Sequence, residues 1–359
     1  MPGVVGKFSV VSSALSPLSA HIGYLRHLKN TGITKDILRD RHKLSNSEAQ
    51  RSASLVSAHV GQGLEFHIQS VTASNTIRPM LQYYCYLNLA VATILAFKPK
   101  NFEQYRRHGV EDWTFALSKL DLSSTVLKVK KTGAVPLFHS IFSGVPITNQ
   151  SFRFGEIIAS FHMCNAELTN QFSKTLVRYR VQEDVKEISG MWFSEYSFSE
   201  QLEDGSNRGA PRTKIEKAMP ILISQYRKVS SGSEETAYRS KNSWSTEKLA
   251  RQHHAKNGMQ LINYGGHATK SSAFGILQNY YWHGAPRKPL LPTLPSTLMM
   301  AFSLASIVRY RPKLLETAIE SPLSLLMDSF SAESDHVFIP SIRNLLYREE
   351  MVISSREVI

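Results

Sequence analysis

Two short stretches bring imidazole, guanidinium and aromatic groups close enough together to handle a phosphodiester. "YRRHG" sets Tyr105, Arg106, Arg107 and His108 ahead of Gly109. "NYYWHGAPRK", at 279–288, sets Tyr281 and His283 ahead of Gly284, with Arg287 and Lys288 behind. Imidazole titrates near neutral pH, so one neutral and one protonated histidine can pass protons to and from a phosphodiester without a metal ion. His108 and His283 are therefore the candidate catalytic pair, and they need their two His-Gly turns to face one cleft. The competing reading is structural: each histidine anchors a turn, the arginines are solvated, and Gly109 supplies a positive φ.

A wider pattern sets tyrosine beside arginine: Tyr105-Arg106, Arg178-Tyr179-Arg180, Tyr226-Arg227, Tyr238-Arg239, Arg309-Tyr310-Arg311 and Tyr347-Arg348. Arginine pairs with phosphate while a ring stacks on an unpaired base, a combination suited to single-stranded RNA or DNA. Arg106, Arg107, Arg178, Arg180, Arg287, Lys288, Tyr105 and Tyr281 are the candidate nucleic-acid contacts. For Arg309 and Tyr310, which precede Pro312, helix-end chemistry is the preferred reading: arginine meets the C-terminal dipole and tyrosine closes the core.

Other chemistries lack their residues. "LINYGGHATKSSAFG" imitates a phosphate-binding loop, but Thr269 stands before Lys270 where that loop needs glycine. No His-Glu-x-x-His and no cysteine pair is present, and His253-His254 lies in a polar stretch, so no metal is expected. No Gly-x-Ser-x-Gly elbow occurs. No cofactor is expected either.

Charge narrows the partners. The 359 residues carry 42 Lys+Arg against 29 Asp+Glu, a net charge of +13, which favours polyanions, meaning nucleic acid or an anionic membrane surface; a merely well-solvated basic protein is the competing reading. A hydrophobic fraction of 42% with 10% aromatics excludes a wholly disordered chain. Cys85 and Cys164 make no disulfide framework, and the N-terminal apolar stretch is broken by serines, so a cytoplasmic setting is expected. Residues 79–97 and 289–308 are uncharged and near spanning length. The first holds Gln82, Asn88, Thr93 and three tyrosines, and the second is broken by Pro289, Pro292 and Pro295. Both read as buried helices that pack against each other, with no membrane span.

These elements must position the chemistry. Residues 1–44 read as short helices. Ser45 and Glu48 form a capping box for a helix to about His59, followed by a glycine break or bend at "VGQGLEF". Leu127 and Val129 alternate with Lys128 and Lys130, which predicts an exposed strand and a hairpin at Thr132-Gly133. "FGEIIASFHM" reads as a helix and "TLVRYRVQEDVKEI" in part as a strand. Residues 199–256 are polar, with loops at "EDGSNRGAPRTK" and "VSSGSEET" and an exposed helix at "STEKLARQHHAK". Helices are expected at 295–310, 312–330 and 336–350.

"GQGLEF", "IRPMLQYYCYLNLAVATIL" and His108-Gly109-Val110, in that order, resemble the N-terminal half of the bacterial YaaC-like proteins. "LKVKKTGAVPLFHSIFSG", "SFRFGEIIASF" and "LMMAFSLASIVRYRPKLLETAI" are similar to later blocks of that family. The likeness covers about 50–165 and 270–350, and it implies an architecture rather than a reaction. A more distant resemblance links the paired-aromatic helix and His-Gly segment to HEPN domains, small helical bundles that include RNA-cutting toxins and phage-defence effectors. The active HEPN motif places histidine five to seven positions after an arginine. Here Arg106, Arg107 and His108 are adjacent, and Arg51 lies eight before His59.

The expected fold is mainly α: a HEPN-like helical bundle of N- and C-terminal helices with a smaller β-containing middle. It is read as one composite unit over 1–359. Within it lie a helical core at 45–113, a polar, partly β region at 114–265, and C-terminal helices at 266–359 packing on the core. The expected function is a nucleic-acid-interacting accessory protein, in phage defence or nucleic-acid metabolism. The alternatives are a metal-independent HEPN-like RNase using His108 or His283, and a scaffold or homodimer that binds acidic protein partners.

Overall fold

The computed structural model describes residues 7–13, 15–99, 105, 107–112, 125–143, 146–158, 178–201, 207–218, 225–231, 235–250, 266–271, 277–283, 292–321 and 323–355. Its contacts divide the chain into two compact units. One, mainly helical, is Ser13–Ile158 with Leu294–Tyr347; the other is Met1–Ser12, Ala159–Thr293 and Arg348–Ile359.

After β1 (Lys7–Ser13) the helical unit opens with α1 (Pro17–His27) and α2 (Thr31–His42). Polar caps start both helices: the Ser16 hydroxyl accepts from the Ser19 amide, and Asn30 Oδ1 from those of Gly32 and Ile33. The expected capping box of Ser45 and Glu48 is present and begins α3 (Asn46–Thr72). No break follows; α3 runs straight through "VGQGLEF" for 27 residues. Gly63 is there for contact rather than for bending. A Cβ at Gly63 would lie 3.0 Å from Leu89 Cγ and 3.2 Å from the Cys85 carbonyl oxygen on α4 (Arg78–Phe97). Close helix–helix approach offsets the roughly 1 kcal/mol that glycine costs inside a helix.

A small antiparallel sheet follows, in the order β2 (Val110–Asp112), β3 (Val126–Val129), β4 (Ser151–Arg153). As the alternation predicts, Leu127 and Val129 are buried while Lys128 is partly exposed. The expected hairpin after Gly133 is absent, because the chain enters α5 (Ala134–Ser143) there. A short α6 (Phe154–Ile158) ends this stretch.

The other unit is built on a seven-stranded sheet. Its strands are β5 (Arg178–Ile188), β6 (Met191–Gln201), β7 (Asn207–Gly209), β8 (Tyr226–Ser231), β9 (Thr236–Ser240), β10 (Gly266–Ser271) and β11 (Leu277–His283). Between β7 and β8 lies α7 (Arg212–Ala218). The sheet order is β10-β11-β5-β6-β9-β8, with β7 also on β6. The polar stretches read as loops therefore hold β7, the start of α7 and the ends of β8 and β9. β5 and β6 join through Ser189 and Gly190, both at positive φ, as a two-residue hairpin of matching twist needs. The phosphate-loop mimic resolves too: Lys270 sits in a strand opposite Gln278, not at a helix N-terminus.

The chain then returns to the helical unit with α8 (Thr293–Tyr310), α9 (Pro312–Ile319) and α10 (Leu323–Tyr347), and β12 (Glu349–Ser355) pairs with β1. Of the helices expected at 312–330 and 336–350, the first ends at Ile319, and α10 runs through 331–335, where Ser331, Ser334 and Asp335 are buried. Gln82 Nε2 donates to the Ser331 carbonyl (2.6 Å), Tyr86 Oη donates to Asp335 Oδ1 (2.6 Å), and His67 Nδ1 lies 3.3 Å from Asp335 Oδ2. Buried polar groups persist only when partnered, and here the partners tie α10 to α3 and α4.

α4 is the centre of the unit, with Leu89, Ala92, Ile94 and Leu95 fully buried. Among the described residues it is the one helix long and apolar enough to cross a membrane, and 72% of its apolar window is buried inside the protein. The expected contact of α4 with α8 is made by large side chains: Tyr83 packs edge-on to Phe302 at 5.6 Å, and Arg309 reaches Tyr84.

Leu89→Ala leaves a cavity against Gly63 and is expected to cost about 2–5 kcal/mol, whereas half-buried Leu87→Ala costs less. Denaturant midpoints of the two variants check this ordering.

Candidate functional site

His108 is placed by backbone before any side chain acts. Gly109 takes φ +79° and Gly133 φ +127°, and the two glycines cross so closely that a Cβ on Gly133 would lie 2.4 Å from the Gly109 Cα. No L side chain fits that crossing, and both conformations favour glycine. Lys130 N donates to the Gly109 carbonyl (2.9 Å), Ala134 N to that of Arg107 (2.7 Å) and Val135 N to that of His108 (3.1 Å). The first amides of α5, which have no partner within the helix, thus hold the turn. α5 is in turn clamped to the end of α4, where Lys98 Nζ donates to Ser140 Oγ (2.5 Å).

The crossing brings "KKTG" alongside "RHG". Arg107, His108, Lys130, Lys131 and Thr132 are all exposed. Lys130 pairs with Glu111 at 3.3 Å, both partners keeping much of their surface in solvent. Lys128 and the exposed Arg153 lie on the same small sheet.

On its inner side His108 meets an aromatic wall. Its Nδ1 makes a short hydrogen bond with the hydroxyl of buried Tyr83, and its ring lies 5.7 Å from Phe302. Burial, and second the neighbouring Tyr84, push the Tyr83 hydroxyl far above its ordinary value, so it keeps its proton. Burial, and second the charge of Arg309, push the His108 imidazole below its ordinary 6.5. The Tyr83 hydroxyl and His108 Nδ1 share a hydrogen bond whose donor is set by the imidazole tautomer, and Nε2 is the ring nitrogen that Tyr83 does not engage.

Beside this wall, Tyr84 stacks on Phe66 at 5.3 Å and 28°, and its hydroxyl accepts from Arg309 Nη1 at 2.7 Å. The Arg309 guanidinium lies 4.9 Å from the centre of the Tyr310 ring. One turn along α4, Asn88 Oδ1 accepts from His59 Nδ1 (2.8 Å), and Tyr105 sets its ring edge-on to His59 at 5.8 Å.

Of the sequence candidates, Tyr105, Arg107 and His108 thus sit in the helical unit beside α3 and α4. In the sheet unit, the register sets Tyr281 opposite Arg180 and His283 opposite Arg178, with the Trp282–Tyr179 pair between them. His283 ends a strand rather than forming a turn. Arg106, Arg287 and Lys288 lie outside the described residues. Sequence reading missed Lys131, Tyr83, Phe302 and the bridging role of Arg309; the second glycine turn at Thr132-Gly133 was the visible signal. Among the described residues no group of three or more His, Cys, Asp or Glu is arranged to hold a metal ion.

These observations define a mainly helical protein with a β-sheet middle and a basic, aromatic-backed turn on its helical unit. The chain belongs to the YaaC-like protein family, whose sequence model matches residues 26–346. No curated protein and no solved structure matches it.

The two constraints on the turn are separately testable. Gly133→Ala is expected to cost about 2–4 kcal/mol, because its contacts are backbone and cannot move aside. With a folded pKa below 6.5, folded His108 binds fewer protons than the unfolded chain between the two values. Its contribution to stability is therefore complete above about 6.5 and is lost as pH falls through the folded pKa. Urea denaturation from pH 7.5 to 5 is expected to show wild type weakening more steeply than His108→Gln, which can accept from Tyr83 without titrating.

Proposed function

We propose that this chain is a nucleic-acid-interacting accessory protein that holds single-stranded RNA or DNA at the Gly109–Gly133 turn. The observation that carries the reading is the crossing itself, which gathers Arg107, Lys130 and Lys131 around an exposed histidine within a chain of net charge +13. Cations on a fixed backbone neutralise phosphates at low ordering cost, and the exposed imidazole adds a directed hydrogen bond to a phosphate or base. The helix N-terminus of α5 is not itself the phosphate site, because backbone carbonyls already take its amides. The setting we propose, the cytoplasm and phage defence or nucleic-acid metabolism, rests on the reduced cysteine pattern and on the HEPN resemblance of the paired-aromatic helix.

A second reading, metal-independent RNA cleavage by His108, is favoured by an exposed, neutral imidazole at a basic turn. It is the weaker of the two. The arginine-to-histidine spacing of the active HEPN motif is absent, since Arg107 and His108 are adjacent. Purified protein in chelator is therefore expected to leave a single-stranded RNA intact. Cleavage that disappears in His108→Ala would establish the enzymatic reading instead.

Binding itself is tested by salt titration. Affinity for a single-stranded oligonucleotide is expected to fall by about 0.7 in log K per log unit of salt for each phosphate neutralised. Arg107→Ala combined with Lys131→Ala is expected to flatten that slope by about 1.4, at 0.7 per lost contact. Binding to neither RNA nor DNA at low salt would leave the basic face to an acidic protein partner.

A further inference from the structure

The end of α8 carries a feature that the basic turn does not use. Phe66, Tyr84, Arg309 and Tyr310 follow one another as ring, ring, guanidinium, ring. Phe66 and Tyr84 are stacked, with 28° between their planes. Arg309 is fixed by its 2.7 Å bond to the Tyr84 hydroxyl and lies 4.9 Å from the Tyr310 ring centre. The series ends there, with Tyr310 60% exposed at the joint where Arg311 alone separates α8 from α9. A tyrosine that merely closed the core would be covered, and helix-end chemistry accounts for Arg309 but not for a ring held out in water.

We propose that Tyr310 is a base-stacking position, whose ligand is an unpaired nucleobase of a single-stranded nucleic acid. The inference rests on the proposed nucleic-acid function and deepens it by naming where a base is held. Arg309 occupies Tyr310 on one side and stiffens it, so the ring is ordered before a ligand arrives and little rotamer entropy is lost on binding. Exposed Lys313, three residues on, supplies a cation for the neighbouring phosphate. Arg309 also perturbs His108, so the stacking ring and the basic turn lie within electrostatic range of each other, on one unit of the protein. A duplex keeps its bases paired and stacked on one another, and offers Tyr310 nothing comparable.

Fluorescence anisotropy with the full-length protein separates the possibilities. The probes are a labelled single-stranded RNA, the same sequence as DNA, a duplex, and an abasic strand of equal length, measured with wild type, Tyr310→Ala and Tyr310→Trp. Tyr310→Ala is expected to weaken binding of both single strands about tenfold or more, and to leave the abasic strand nearly unaffected. Tyr310→Trp is expected to retain or strengthen binding, since the larger ring still stacks. Single strands that bind wild type and Tyr310→Ala equally well, and no better than the abasic strand does, would overturn the stacking position while leaving the basic turn standing. Failure of every probe to bind at low salt would overturn both.

Discussion

The burial of α4 is the constraint on which the helical unit depends. A 20-residue helix without a charge after Arg78 has no face to give to water, so each neighbour covers one side of it. α3 covers the Cys85–Leu89 side, where its Gly63 admits Leu89 and the Cys85 carbonyl. α10 covers the Tyr86 side through Phe338, at 4.5 Å between ring centres, and through Asp335. α8 covers the Tyr83 side through Phe302. Large side chains do not only fill space here. The consecutive tyrosines 83 and 84 diverge by about 100° around the helix, so one hydroxyl reaches His108 and the other Arg309.

The candidate site is a consequence of that packing. His108 gets its position from two crossing glycines and its lowered proton affinity from burial and, second, from the charge of Arg309. Arg309 gets its position from a second phenol, one residue along the same helix. The basic turn is therefore tied to the buried centre of the unit through Tyr83 and, by way of α5, through Lys98, which suits a surface that must hold a flexible polyanion in register.

Much of this was legible in the residues, and the gaps have physical causes. The Ser45 cap, the apolar runs and the Leu127–Val129 alternation are local signals, and they placed the start of α3, α4, β3 and α8, whereas the short helices expected over 1–44 begin only after the strand β1. Gly109 announced its turn. What failed was the meaning of small and polar residues. Gly61 and Gly63 read as a break, because sequence does not say whether a glycine bends a helix or lets another approach. The expected helix limits at 330 and 336 missed that Ser331, Ser334 and Asp335 lie inside α10, because serine and aspartate favour water unless a partner such as Tyr86 waits across the interface. The site was half visible for the same reason. Arg107 and His108 were singled out, but Lys131 is brought to them by a crossing of Gly109 with Gly133, and no local spacing records it.

The most direct measurement of the central claim is a photo-crosslinking map. The full-length protein would be irradiated with a single-stranded RNA or DNA carrying 4-thiouracil or 5-iodouracil, digested, and read by mass spectrometry for peptides bearing nucleotide adducts. The account predicts adducts on the segments that hold Tyr105–Asp112, Lys130–Gly133 and Arg309–Lys313, suppressed by raised salt and by unlabelled single strand. Adducts confined to the seven-stranded sheet, or none above an unrelated basic protein, would contradict it.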